Sequence, residues 1–328
     1  MNVKKNQIDD LNLELVLDIA AEDYAPIKKK KLAERRKTAE FKGFRKGMVP
    51  MSLIERVYGQ NALVDAVNDI IGEQLDKFIK DNDLHIIGEP ITGKNQKELD
   101  WEDGKDFEFF FDMAVNPEVK LEVTKDDTVN EYTITVTEKA KKEMKDNLRK
   151  YDETKKDKTD EELEDEVVEY LKNNYKQEAN YRLSKDIRDY LVQKADLKVP
   201  EDFLKRWLTL MNKDKVDAET IDKEFPAFLE DYKWQLVRGH LMDSMGLKIE
   251  QKDLQEAAES YVRYQYAMYG MGGVPDDIVK ESAKNVLSDE KQFNRVIEQV
   301  EDSKVLDAVK GIIKITPKRI SVDKFRAL

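Results

Sequence analysis

Residues 43–50 read Gly43-Phe44-Arg45-Lys46-Gly47-Met48-Val49-Pro50. Two glycines and a proline in eight positions break any helix, so this stretch is an ordered loop. Before it, Tyr24 to Thr38 reads as helical, and Asp23 can cap that helix by accepting amides of the first turn. After it, Pro50 and Ser52 reopen helical periodicity. Ile54, Val57 and Tyr58 lead into Leu63, Val67, Ile70, Ile71, Leu75, Phe78 and Ile79, a three-and-four spacing that fits one apolar helix face. Asn82-Asp83 ends it. Further out, Leu11, Leu13, Leu15, Leu17 and Ile19 alternate at period two, the signature of a half-buried strand. Phe107, Phe109 and Phe111 share one side of a second strand, and Tyr132, Ile134 and Val136 one side of a third. Leu84 to Ile91 is a weaker candidate, interrupted by Gly88 and Pro90. Strand, helices, then several strands predict an α+β domain over about 1–115, followed by an extended linker or strand over 116–137.

From Glu138 the period becomes helical and stays so. Met144 and Leu148 mark one helix, which runs into the solvated, fully polar run from Asp152 to Glu162. Further helices are expected at about 161–195, 201–213, 218–245, 251–270, 275–287 and 289–312. Pro200 and Pro275 sit at helix starts, where a missing amide costs nothing. Ile313, Ile315, Ile320 and Val322 close the chain as a short extended tail. A mostly α-helical second domain over 138–328 follows.

The 328 residues carry 57 Lys+Arg and 69 Asp+Glu, a net charge of −12. With no Cys, disulfides, zinc–thiolate sites, iron–sulfur clusters and thiol catalysis are excluded. With only two histidines, His85 and His240, a His-rich metal site is excluded too. Each reads as a structural or surface residue. Walker A, GxSxG, HExxH and EF-hand patterns do not occur. No catalytic residue, metal or cofactor is expected. No apolar run approaches the roughly 18 residues of a membrane span. Met1–Gln7 has no apolar core or small-residue cleavage site, so no signal peptide is expected. The expected location is cytoplasmic.

Charge is unevenly placed. Tyr24 to Arg56 holds eleven basic residues against Glu34, Glu40 and Glu55, a local balance of 11 − 3 = +8. Such a focus raises encounter rates with polyanions, though a solvated helix face accounts for it equally well. The loop contains an aromatic residue followed by two cations. That combination suits a mixed protein and RNA surface, and a buried Phe in a turn is the simpler alternative. A second concentration, Tyr261 to Val274, includes Tyr261, Tyr264, Tyr266, Met268, Tyr269 and Met271. These cannot all lie on one helix stripe. Some face water or a concave surface, where Met and Tyr adapt to many apolar partners; packing against neighbouring helices is the plain alternative. Phe203, Leu204, Trp207, Leu208, Leu210 and Met211 form a further apolar face, read as core.

The loop at 43–50 resembles the signature loop of the bacterial trigger factor family, ribosome-associated chaperones. The likeness continues through Met51-Ser52-Leu53-Ile54, Tyr58-Gly59, Ile87-Gly88-Glu89-Pro90, Phe107-Glu108-Phe109 and Asn116-Pro117-Glu118-Val119. In the second half it includes Leu197-Lys198-Val199-Pro200 and the tail from Ile315 to Phe325. The stretch Tyr-Gly-Met-Gly-Gly-Val-Pro-Asp-Asp is similar to Bacteroidetes members. The resemblance implies an elongated molecule with an N-terminal ribosome-binding domain and a helical domain with arm-like helices. It implies docking at the large subunit, on an exit-tunnel protein and adjacent rRNA, through Gly43, Phe44, Arg45, Lys46, Gly47 and Pro50. It further implies ATP-independent shielding of nascent polypeptides. From the aromatic and Met-rich stretch, Tyr264, Tyr266, Met268 and Met271 are the expected contacts, and a homodimer of the free molecule is left open. The family's peptidyl-prolyl isomerase module is expected to be missing around 151–160, since no strand-rich stretch lies there. A chaperone rather than an enzyme is therefore expected, with an isomerase or a ribosome-independent assembly scaffold as the alternatives.

Overall fold

A computed structural model describes residues 1–213 and 215–328. The chain folds as two compact units. One comprises Met1–Glu118 and Lys198–Leu229, the other Val119–Leu197 and Glu230–Leu328. The sequence places the first boundary near 115 and assigns everything from 138 onward to the second domain. The structure differs: residues 198–229, helical in sequence, belong to the first unit, and the strand of the supposed linker belongs to the second.

The first unit holds a four-stranded antiparallel sheet in the order β1-β2-β4-β3. The strands are β1 (Asn2–Gln7), β2 (Asn12–Ile19), β3 (Ile91–Thr92) and β4 (Phe107–Ala114). Two helices, α1 (Ala21–Thr38) and α2 (Met51–Asp81), pack against this sheet. The alternating residues of β2 are buried with Tyr24 of α1, with Leu63, Val67 and Ile70 of α2, and with Phe107, Phe109 and Met113 of β4. This apolar face accounts for the periodicities on both sides of the loop. Of the α2 positions expected on that face, Val57 is exposed, because it is rotated around the helix away from the Leu63–Val67–Ile70 stripe. Asp23 lies three residues inside α1 rather than at its cap. Its carboxylate accepts the Ala20 amide at 2.8 Å and pairs with the Met1 ammonium at 2.9 Å, an anion in the first helical turn where the helix dipole favours it. The Leu84–Ile91 candidate yields only a bridge at Ile86 and the two residues of β3. Gly88, with φ +59°, interrupts it.

In the second unit, β5 (Thr128–Thr135) pairs in parallel with β6 (Lys314–Ser321), so the tail is a strand rather than a free extension. The helices are α3 (Glu138–Tyr151), α4 (Asp160–Ala195), α7 (Gln251–Met268), α8 (Asp276–Ser288), α9 (Glu290–Lys310) and α10 (Val322–Arg326). Helix α5 (Glu201–Met211) lies in the first unit, and the Leu229/Glu230 boundary falls inside α6 (Ala218–Ser244). Three cores result. One joins α4, α6 and α9 through Ile187, Leu191, Trp234, Val237, Leu241, Val305 and Val309. A second packs Tyr132 and Ile134 against Leu163, Val167, Val322 and Phe325. A third joins α7, α8 and α9 through Ala258, Val262, Val279, Ala283, Val296 and Val300. A polar staple ties the approach to β5 onto α4. The buried Asp127 carboxylate accepts from Tyr190 at 2.5 Å, from Lys194 at 2.7 Å and from the Thr124 amide at 2.7 Å. Burial opposes that charge, and the bonds to Lys194, Tyr190 and Thr124 outweigh it, holding the carboxyl at about 2. Between α3 and α4 lie only Asp152–Thr159, including a 3-10 turn at Glu153–Lys155.

Candidate functional site

The loop between α1 and α2 is held at both ends. Val49 is fully buried with Leu32, Ala39, Ile54 and Ala62, and Phe41, Met51 and Tyr58 pack against that cluster. Phe41 meets Tyr58 edge-on at 6.2 Å, and the Arg35 guanidinium lies 5.1 Å from the Tyr58 ring centroid. The Arg36 Nε donates to the Val49 carbonyl at 2.7 Å. Between these anchors the backbone makes two turns. The Phe44 amide donates to the Phe41 carbonyl, and the Met48 amide to the Arg45 carbonyl. Gly43 (φ +92°) and Gly47 (φ +79°) each occupy the third position of a turn, the place where a type II turn requires a left-handed residue. Nothing lies within 4 Å of where a Cβ would stand at either glycine. Their need is therefore conformational rather than steric.

The tip between the glycines faces away from its own core. Phe44 is 44% exposed and Met48 68%; Arg45 and Lys46 are exposed. Lys46 comes within 3.6 Å of Glu40, but both groups are open to water, where such pairs contribute little. The alternative of a Phe buried in a turn does not hold. Pro50 is exposed at the start of α2, and its carbonyl accepts the Leu53 and Ile54 amides.

The surrounding +8 is partly neutralised. Lys28 is buried between Glu55 (3.2 Å) and Asp103 (2.8 Å), and Lys31 pairs with Asp69 at 2.6 Å. Burial works against the Lys28 ammonium, and the Asp103 and Glu55 carboxylates more than offset it, raising its pKa above the usual lysine value. Lys29, Lys30, Lys37, Lys42, Arg45 and Arg56 are exposed and form no ion pair among the described residues. The positive field is smaller than the sequence count suggests, and it is concentrated on α1 and the loop.

The second candidate region divides. Tyr264 is 65% exposed, Met268 70% and Met271 53%. Tyr266 instead packs against the α7–α8–α9 core, and its hydroxyl shares a 3.0 Å hydrogen bond with Ser282. It is a structural residue in this arrangement. Tyr269, absent from the expected contacts, is the most open of the group at 82%. The sequence places it inside a helix over 251–270, whereas α7 ends at Met268 and Tyr269 lies just past it. Gly270, with φ +74°, then reverses the chain. His85 is exposed, and the His240 Nε2 lies 3.0 Å from the Leu121 carbonyl; both are accounted for structurally. Among the described residues no cluster of potential metal ligands occurs, and no helix is long and apolar enough to cross a membrane.

Comparison with known proteins matches these two halves separately. Residues 1–148 match the family profile "Bacterial trigger factor protein (TF)", and residues 179–328 match "Probable trigger factor, C-terminal domain". The trigger factor of Francisella tularensis subsp. holarctica (strain LVS) is 23% identical over 335 residues, covering 98% of this chain and 69% of that protein. The trigger factor of Citrifermentans bemidjiense is 30% identical over 148 residues, covering 45% of this chain and 31% of that protein. A solved structure from work on promiscuous substrate recognition by the trigger factor chaperone aligns with a TM-score of 0.55 at 14% identity. It covers 94% of this chain and 99% of that one. With its two halves matched by the two trigger factor domains, this chain belongs to the trigger factor family of ribosome-associated chaperones.

Proposed function

We propose that this protein docks on the large ribosomal subunit through the tip of the 43–50 loop and holds nascent chains without ATP. The observation that carries the docking assignment is the mounting of Phe44. Its neighbours Phe41 and Val49 are sunk into the helical pair, while the ring itself stands in water with Arg45 and Lys46 beside it. A pre-formed aromatic anchor flanked by cations enters a partner's apolar recess with little ordering cost, and the cations suit rRNA phosphates at the recess edge. Gly43, Gly47 and Pro50 set the loop's path rather than touching the partner. Nascent segments are held at the α7 end by Tyr264, Met268 and Met271, joined by Tyr269. Such shallow apolar contacts give short-lived binding that a folding client outcompetes. Chaperoning proceeds without a prolyl isomerisation step: the eight residues Asp152–Thr159 replace what would be a whole module between α3 and α4. The protein works in the cytoplasm and self-associates as a homodimer when off the ribosome.

Co-sedimentation with ribosomes tests the docking. Replacing Phe44, Arg45 and Lys46 by Ala is expected to leave the circular dichroism unchanged and to remove most of the protein from the ribosome pellet. Equal pelleting of variant and parent contradicts the assignment. A prolyl-peptide cis/trans assay separates off the isomerase reading, since clear catalysis by the purified chain is incompatible with the proposed mechanism.

A further inference from the structure

Helix α5 is the one segment of the chain's helical second half that, with its flanks, is built into the first unit, and its seat there is unusual. Phe203 and Leu204 are buried. The Trp207 indole lies so close to Gly88 that a Cβ there would stand 2.5 Å from its ring. The seat thus exists only because residue 88 has no side chain. The same contact leaves the indole Nε1 buried without a hydrogen-bond partner, a cost to the docked state.

The polar half of the seat is built on two acids. Glu14 of β2 and Asp112 of β4 are directly opposite each other in register, and both are buried. Like charges in that position repel. Glu14 is satisfied by the Asn95 and Asn6 side-chain amides at 2.6 and 3.1 Å. Asp112 takes the Lys94 backbone amide at 3.2 Å and the Arg206 guanidinium at 2.5 Å, and Arg206 also donates to the Thr92 carbonyl at 2.9 Å. The neutralising cation is therefore delivered by α5. Beside the contact lies an open cleft of about 320 Å³ whose lining includes Glu14, Asp112, Phe203 and Arg206. At the C-terminal end of α5, Leu210 and Met211 remain exposed.

A contact with a strong specific tether, an orphaned donor and open apolar residues at its end has the composition of a latch rather than of a core. We propose that α5 is a latch that masks a further client-binding surface. When Arg206 leaves Asp112, the helix lifts and presents Phe203, Leu204, Trp207 and Leu208 to unfolded chains. This deepens the holding activity proposed above and rests on it.

The test uses the full chain with Trp101→Phe and Trp234→Phe as background, so that Trp207 is the sole reporter. Two variants release the latch by different routes, Arg206→Ala and Gly88→Ala. Gly104→Ala is the control, because Gly104 has φ +85° but no atom within 4 Å of a Cβ; it imposes the backbone strain without the clash. Both release variants are expected to red-shift Trp207 emission, to speed amide exchange over 201–211, and to hold reduced, carboxymethylated α-lactalbumin at least threefold more tightly than the control. Protected Trp207 in both release variants overturns the latch. Released Trp207 with unchanged client affinity overturns the masked surface while leaving the holding function intact. Failure of the parent and every variant to hold the client overturns the holding function itself, whatever the fluorescence reports.

Discussion

The loop at 43–48 and the helix end at 264–271 both put aromatic and sulfur-bearing side chains into water, yet they are mounted in opposite ways. The loop is clamped on either side by buried residues, its turns are fixed by two left-handed glycines, and its apolar tip is paired with cations. The helix end has one anchored residue, Tyr266, and four open ones on a terminus followed by Gly270, Gly272 and Gly273. A fixed shape with charge beside it suits one partner. A loosely set group of Tyr and Met suits many. On the function proposed above, the difference gives each region a separate job within one chain.

Salt provides the widest separation between the two. Raising the salt from roughly 50 to 200 mM is expected to weaken ribosome binding about tenfold, as two or so phosphate contacts are screened. Client binding at the helix end should change less than about twofold, which a titration of both partners across the same salt series will measure. Equal sensitivity would merge the two modes.

The anchors are next. Val49→Ala removes buried methyl groups from the cluster under the loop and should cost about 2 kcal/mol. It should also weaken ribosome binding although no exposed atom changes. Denaturant unfolding and sedimentation of the same sample check both halves of that expectation. In the second unit, Asp127 contributes a comparable amount with a pH signature. Its folded pKa of about 2 lies below the ordinary carboxylate value. The stabilisation is therefore complete above about pH 4 and is lost as the pH falls from 4 through 2, about 2 kcal/mol in all. Asp127→Asn should lose stability at pH 6 and show a shallower acid dependence than the parent below pH 4. A parallel pH profile for the two would remove the staple from the explanation.

Smaller effects distinguish the anchored tyrosine from its open neighbours. Tyr266→Phe loses the Ser282 hydrogen bond and should cost about 1 kcal/mol in thermal unfolding. Met271→Ala should change stability by less than about 0.5 kcal/mol while weakening client capture. A reversal of that order would place Tyr266, not Met271, at the client surface.

Much of this was readable from the sequence, for identifiable reasons. Helices α2, α4 and α9 bury a continuous stripe, so their periodicity survives in the sequence. The strand β2 announces itself because Leu13, Leu15, Leu17 and Ile19 share a core face. Strand β1 does not: Asn2–Gln7 is exposed throughout, and its pairing with β2 uses backbone groups that any side chain supplies. The tail reads as extended, but its partner β5 lies 186 residues earlier (registers 128 with 314 through 135 with 321), and periodicity carries no information on such distant pairing. The face of α5 is visible as apolar; its destination on β4 is not, because that depends on the missing Cβ at Gly88 and the acid at Asp112. At the site, Phe44, Arg45 and Lys46 were legible as a group from two glycines and a proline. Tyr266 was misplaced among the open contacts because exposure at a helix end turns on which residue meets α8, and spacing alone does not specify that.

The most direct measurement places a photo-crosslinking phenylalanine analogue at position 44 and illuminates the protein with intact ribosomes. The docking assignment predicts a dominant adduct to one large-subunit protein beside the exit tunnel, lost when excess unlabelled parent chain competes. Adducts confined to the protein's own α1 and α2, with none to the ribosome, would contradict it.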